Sequence, residues 1–188
     1  DYFKAMKCAV NYSFVNRLVM TQWVREVFED VFDKSWQEMD MHTVYAIAHN
    51  VIKEEEHTVN GEKKKLLVHR KGATRSFPDV AVLLAGSMGT SSYLLVGTET
   101  AMKKSFGSAA HGSGRAMSRK GATKKFWGET VQKELEKRGI KAKASHPKSL
   151  AEEAPGAYKS SSEVVKSIQE SGIAKKVVRV DPLGVIKG

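Results

Sequence analysis

The sequence contains one cysteine, Cys8, in 188 residues, so no disulfide can close within the chain. Such sparing use of cysteine fits a reducing compartment, and a cytoplasmic setting is expected. No apolar run approaches the length needed to span a bilayer, which argues against a membrane helix. No basic-then-apolar leader opens the chain. It starts at Asp1 with no initiating methionine and reads as cut from something longer. No repeat, low-complexity tract or obvious linker divides it, so one unit is expected. Acidic residues are also scarce: 21 stand against 31 lysines and arginines, a formal net charge of +10. From Ala101 to Gly128 there is none, while Lys103, Lys104, Arg115, Arg119, Lys120, Lys124 and Lys125 fall in that span. A basic balance of this kind points to an anionic partner, nucleic acid first, although a solvated surface would carry the same total.

The acid-free span contains the most distinctive stretch, Gly107-Ser108-Ala109-Ala110-His111-Gly112-Ser113-Gly114-Arg115. Small residues let a backbone approach a ligand, and glycine reaches positive φ at no steric cost. Successive amides in such a turn make an anion-binding nest. A helix opening at Ser113 or Gly114 would aim its N–H groups at the same place. Arg115 adds a planar, permanently charged fork suited to phosphate. The alternative is a glycine turn carrying an ordinary surface histidine.

Apolar positions from Met6 to Val24 predict a helix running to about Phe32 and broken at Asp33-Lys34-Ser35. They cover more than a narrow stripe, so this helix is expected to be buried on much of its circumference. Thr43 to Ala48 reads as a strand ending at His49-Asn50. A histidine there can be a metal ligand or a structural residue. Asn60-Gly61 between two β-like runs signals a hairpin. Arg70 to Arg75 leaves it as a basic run ending in a loop, which could hold phosphate or be a solvated edge with gatekeeping charges. Val80–Leu84 and Tyr93–Val96 read as buried strands. Between them Ala85-Gly86-Ser87-Met88-Gly89-Thr90-Ser91-Ser92 is either a nucleotide loop or a plain turn. Helices are expected over Glu129–Arg138, stopped by Gly139, and from a capping start at Ser160. Lys176–Val180 reads as a late strand.

Taken in order, these motifs resemble the C-terminal part of the RtcB-type RNA ligases, the tRNA-splicing ligase family. The likeness rests on His49-Asn50, His69-Arg70-Lys71-Gly72-Ala73-Thr74, Gly86-Ser87-Met88-Gly89-Thr90, His111-Gly112-x-Gly114-Arg115, Glu152-Glu153-Ala154-Pro155 with Tyr158-Lys159, and Lys187-Gly188. It spans residues 1–188, and the archaeal branch looks most similar. The resemblance implies an α+β fold of mixed sheets with packed helices, here as the C-terminal portion of a single catalytic domain. It implies a GTP- and Mn²⁺-dependent ligase joining an RNA 3′-phosphate or 2′,3′-cyclic phosphate to a 5′-hydroxyl. His111 would be the nucleophile that forms a histidine–GMP intermediate, as imidazole can. The resemblance makes His49 a metal ligand and puts Asn50 beside it at the nucleotide. It gives Ala85, Gly86, Ser87, Met88, Ser92 and the Gly112-Ser113-Gly114 turn to the nucleotide, and Tyr158 and Lys187 to the guanine. Lys71 and Arg115 would hold phosphates or RNA ends. The implied partners are RNA ends, the absent N-terminal half and an archease-like activator.

The chain departs from the family pattern in several places. The N-terminal half is absent, and with it an aspartate, a cysteine and two histidines that hold manganese; Cys8 does not match that cysteine. Ala46 stands where the family has aspartate, and Ala110 where a cysteine usually precedes the His-Gly. Asp79-Val80-Ala81-Val82 replaces a longer loop after Phe77-Pro78, either as a true deletion or as an omitted segment. A non-catalytic RNA- or nucleotide-binding fragment therefore stands as the alternative to a ligase.

Overall fold

A computed structural model describes residues 1–187, with backbone only at Ile186 and Lys187. It divides into two compact units, residues 1–71 and 72–188.

In the first unit, helix α1 (Tyr2–Phe32) ends where expected, with Asp33 in the left-handed region at φ 51° and its N–H donating to the Glu29 carbonyl. The expected burial is absent, since no residue of α1 is buried. Tyr12, Leu18, Trp23, Val27 and Val31 are all more than half exposed. The periodicity was strong enough to specify a helix, but burial also needs a covering surface, and the described residues cover α1 only in part, with Met6, Val10, Ser13 and Arg17 half-buried. Arg25 fastens the chain after the helix. Its guanidinium lies 4.0 Å from the Trp36 ring centre and donates twice to the Met41 carbonyl. The strand expected over Thr43–Ala48 does not form; that segment is irregular up to His49. β-Branched composition favours a strand only where a neighbour accepts its ladder.

Strands β1 (Asn50–Val59) and β2 (Glu62–Lys71) form the expected antiparallel hairpin. Asn60 and Gly61 both take positive φ, 51° and 83°, as a two-residue turn with the strands' own twist requires. The basic run starts inside the hairpin, since β2 continues to Lys71, and Arg70 is buried rather than solvated. Its guanidinium donates to both Glu55 oxygens at 2.9 and 2.8 Å, and His57 Nε2 lies 3.1 Å from Glu55. Glu55 and His57 share a face by the two-residue period of a strand, and Arg70 reaches them from the partner strand.

The second unit begins with β3 (Ala73–Arg75), β4 (Ala81–Leu84) and β5 (Ser92–Gly97). A short helix, α2 (Glu99–Ser105), leads to β6 (Ser108–Ala110), and α3 (Arg119–Lys125) and α4 (Gly128–Lys137) follow. Then come β7 (Lys141–Ala144), α5 (Pro147–Glu152), α6 (Ser161–Glu170), β8 (Ala174–Val180) and β9 (Gly184–Lys187). Three small sheets result: β4-β5-β8, β3-β6 and the parallel pair β7-β9. The fold is α+β, as expected. Where the family's longer loop would stand, the chain turns tightly, with Val80 N–H donating to the Phe77 carbonyl at 3.1 Å and Asp79 at φ 60°. Gly97 lies against this turn; a Cβ there would fall 2.2 Å from the Phe77 carbonyl oxygen.

Two apolar clusters hold the unit. Val82, Leu84, Tyr93 and Leu95 pack with Val165 and Ile168 of α6. Met88, Val131, Leu135, Ile140 and Leu150 form the other. Gly139 at φ 76° closes α4, and the Ser160 hydroxyl caps α6, both as expected.

Removing Glu55 would leave the Arg70 charge buried without its carboxylate, which typically costs about 3–5 kcal/mol. Glu55→Ala should therefore lower stability by about that amount. Urea unfolding of the full protein measures it, and faster amide exchange across residues 50–71 should accompany the loss.

Candidate functional site

His111 follows β6, and its backbone is held on both sides. Its N–H donates to the Gly72 carbonyl at 3.1 Å, and its carbonyl accepts from Ala85 N–H at 2.7 Å. Ala85 and Gly112 form a parallel bridge. The two glycine-rich loops, far apart in sequence, are thereby laced together. The half-buried imidazole places Nδ1 at 3.0 Å from the Leu83 carbonyl oxygen. A carbonyl only accepts, so Nδ1 carries the proton and the ring's lone pair lies on Nε2.

No helix opens at Ser113 or Gly114; the nearest starts at Arg119, capped by Ser118. The turn is instead a loop with Gly114 at φ 72°, a conformation that favours glycine. Ser113 is buried, and its hydroxyl finds no hydrogen-bond partner there. An orphaned buried hydroxyl beside a histidine is what a loop awaiting a polar ligand would present.

The loop after β4 is built on its own hydroxyls. Gly86 N–H donates to Ser92 Oγ at 3.1 Å, Ser87 N–H to Thr90 Oγ1 at 2.7 Å. A Cβ on Gly86 would sit 2.4 Å from the Thr90 and Ser91 carbonyl oxygens, so the tight turn demands glycine. Met88 turns its side chain into the second core cluster, which leaves only its backbone to a nucleotide.

Arg115 is placed differently from the expectation of an open phosphate fork. Its Nε donates to the Met117 carbonyl at 3.0 Å, Nη2 to the Glu152 carbonyl at 2.7 Å, and Nη1 to the Tyr158 phenol oxygen at 2.9 Å. Glu153 lies 3.5 Å from Nη1 and accepts a very short hydrogen bond from the Tyr158 hydroxyl. Backbone bonds reinforce the join: Ala116 N–H donates to Ala157, and Lys159 N–H to Gly114. Tyr158 thus meets the His111 loop through Arg115, and Glu153 is a partner that spacing alone did not reveal. Burial and then the Glu153 carboxylate push the Tyr158 phenol above its ordinary pKa, against a smaller opposing effect of Arg115.

Arg119 also lies near Glu152 and Glu153, at 4.0 and 3.9 Å. The span without acidic residues therefore acquires acids from α5. Lys103, Lys120, Lys124 and Lys125 remain exposed as its basic surface.

In the first unit, Asn50 and Lys71 are register partners at the open end of the hairpin. His49 lines a cavity of about 250 Å³ with Met6, Ser13 and Arg17 of α1. Among the described residues, no three His, Cys, Asp or Glu side chains gather as a metal site, so His49 is a lone candidate ligand and manganese does not fit these residues alone. Lys187 has its backbone in β9, beside Ala144, while its side chain and Gly188 lie outside the described part of the chain. Among the described residues, no helix is long and apolar enough to cross a membrane.

A half-buried histidine, its ring oriented by a backbone carbonyl and its backbone laced between two small-residue loops, is the candidate functional centre. The comparisons narrow it. Residues 1–188 match the family model described as tRNA-splicing ligase RtcB, and the chain belongs to that family. It is 51% identical to the tRNA-splicing ligase RtcB of Pyrococcus abyssi and 50% identical to that of Thermococcus kodakarensis. It is 48% identical to RNA-splicing ligase RtcB homolog 1 of Entamoeba histolytica. All of this chain is covered in each case, but only 22%, 42% and 38% of those relatives. The aligned spans, 200 and 201 positions, exceed the 188 residues present, in keeping with a chain that is shorter somewhere than its relatives.

Because Tyr158 is raised in the folded state, its contribution to stability is complete below the ordinary phenol value of about 10 and is lost as pH climbs through the higher folded value. Glu153→Gln should bring the Tyr158 titration down while leaving it raised by burial. Tyrosine ring-carbon NMR across alkaline pH reads this directly, and an unchanged midpoint would contradict the contact.

Proposed function

We propose that this chain is the nucleophile-bearing part of a GTP-dependent RNA ligase that joins RNA 3′-phosphate or 2′,3′-cyclic phosphate ends to 5′-hydroxyl ends. Family membership supports the ligase reading. One observation carries the chemistry: the Nδ1–H of His111 is held by the Leu83 carbonyl, which leaves the lone pair on Nε2. In the proposed first step Nε2 attacks the α-phosphate of GTP. The N–P bond forms, the bond to the bridging oxygen breaks, and pyrophosphate leaves with that electron pair. The Leu83 carbonyl strengthens its hold as the ring becomes positive. The GMP group then passes to an RNA 3′-phosphate, restoring the imidazole, and the 5′-hydroxyl displaces it to make the phosphodiester.

In this reading the Gly86–Ser87 and Gly112–Gly114 turns, with the Ser113 hydroxyl, border the nucleotide, and Ala85 and Ser92 shape the first turn. Arg115 acts chiefly by holding the loop to Tyr158. Asn50 borders the nucleotide, Lys71 takes phosphates or RNA ends, and Lys187 and Tyr158 the base. Mn²⁺, with His49 as one ligand, is the proposed metal; this chain does not complete its shell, and no step is assigned to it. RNA ends, the rest of the polypeptide and an archease-like activator are the proposed partners, in the cytoplasm. The absence of a three-ligand cluster among the described residues favours one second reading, a fragment that binds RNA or nucleotide without reacting.

The intact mass of the full protein after exposure to GTP and Mn²⁺ tests the assignment. One added GMP is expected, and His111→Ala should abolish it while the fold survives. An adduct retained in His111→Ala overturns the role of His111, and a wild type that binds RNA without an adduct supports the second reading.

RNA affinity should come largely from phosphate contacts to Lys120, Lys124 and Lys125. Reversing all three to glutamate should weaken unrelated RNAs alike and flatten the salt dependence, with the slope falling by about one for each phosphate no longer held. Filter binding across a salt series measures both; an unchanged slope would make the patch a solvated surface.

A further inference from the structure

We propose that the start of α6, with Arg138 and Arg179, forms a second phosphate-binding site, on the Gly89–Ser91 side of the loop after β4 and without residues of the His111 turn. A cavity of about 450 Å³ opens there, lined by Ser160, Ser161 and Ser162 together with the two arginines. The helix is ten residues long. Its Ser160 cap accepts from Glu163 N–H at 3.4 Å, and Val164 N–H returns to the Ser160 carbonyl. The first-turn N–H groups of Ser161 and Ser162 precede any intrahelical acceptor, at the positive end of the helix dipole. They face what an oxyanion requires.

Ser161 points to a ligand independently of the helix end. It is only 3% exposed, yet it lines the cavity, and its hydroxyl meets no hydrogen-bond partner among the described residues. Its oxygen keeps contact with solvent and so opens on the cavity, where an oxyanion can accept its proton.

The guanidinium groups supply charge from two further elements. Arg138, just after α4, is anchored by one bond from Nη2 to the Gly89 carbonyl at 2.6 Å. Arg179 of β8 donates to Ser91 Oγ at 2.9 Å and to Asp181 at 3.0 and 3.1 Å. Asp181 is the one carboxylate among the lining residues, and Arg179 already neutralises it, so a positive excess remains. Tyr93 and Ile140 wall its inner side. A phosphate group satisfies every one of these features. It could arrive within an RNA strand or as free phosphate. The site stands whether or not His111 is a nucleophile.

Hydrogen exchange of the full protein, read on the peptide covering residues 159–166, tests the site. The probes are inorganic phosphate, compared with chloride at equal ionic strength, and a ten-nucleotide oligouridylate. Exchange should slow several-fold with at least one probe. Arg179→Gln, at the exposed rim, and Ser161→Ala should each restore most of the unliganded rate while the His111 adduct still forms. Slowing by oligouridylate at far lower concentration identifies a strand phosphate; slowing by inorganic phosphate alone identifies the free ion. No slowing with either probe, or slowing undiminished in both variants, overturns the proposal.

Discussion

The hydrogen bond between His111 Nδ1 and the Leu83 carbonyl is the interaction on which the candidate site depends. It needs β4 to end beside β6, and β4 is where it is because Val82 and Leu84 are fully buried against β5 and α6. Leu83 lies between these two anchors, and its backbone carbonyl is the group that His111 meets. Core packing and ring orientation are thus two consequences of one short strand. The bridge from Ala85 to Gly112 extends the same alignment into the loops.

Arg115 serves a second constraint. With three nitrogens spent on Met117, Glu152 and Tyr158, it works as a clamp that closes the His111 loop onto the segment after α5. Glu153 completes the clamp by accepting from Tyr158 and facing Arg115. Charge-assisted bonds of this kind fix geometry as well as adding stability. The loop's shape is therefore set by groups about forty residues further along the chain.

The first unit has a different balance. Its hairpin buries a carboxylate, a histidine and an arginine together, whereas the apolar residues of α1 stay exposed. The chain spans less than half the length of the relatives named above. The helix's broad apolar surface and the lone His49 are the features of this unit that its own residues leave incomplete.

Local chemistry made much of this legible in the sequence. Asn60-Gly61 specified the hairpin because only residues tolerant of positive φ can make its turn. Ser160 and Gly139 marked helix ends through bonds made within a few residues, and the small residues around His111 marked a candidate site. Thr43–Ala48 misled because a strand exists only with a neighbour, and Met6–Val24 because a period predicts a face but not its cover. Glu55 and Arg70, fifteen residues apart, carry no sequence signal of pairing; the hairpin register buries them together. Arg115 read as a phosphate fork until Glu153 and Tyr158 claimed it. The sequence by itself determined the turns, the caps and which histidine to consider, since those rest on backbone preference and residue type. Only the tertiary structure decided which charges pair, which apolar face stays bare and which nitrogen of His111 holds the proton, because those depend on groups that folding alone brings within a few ångströms.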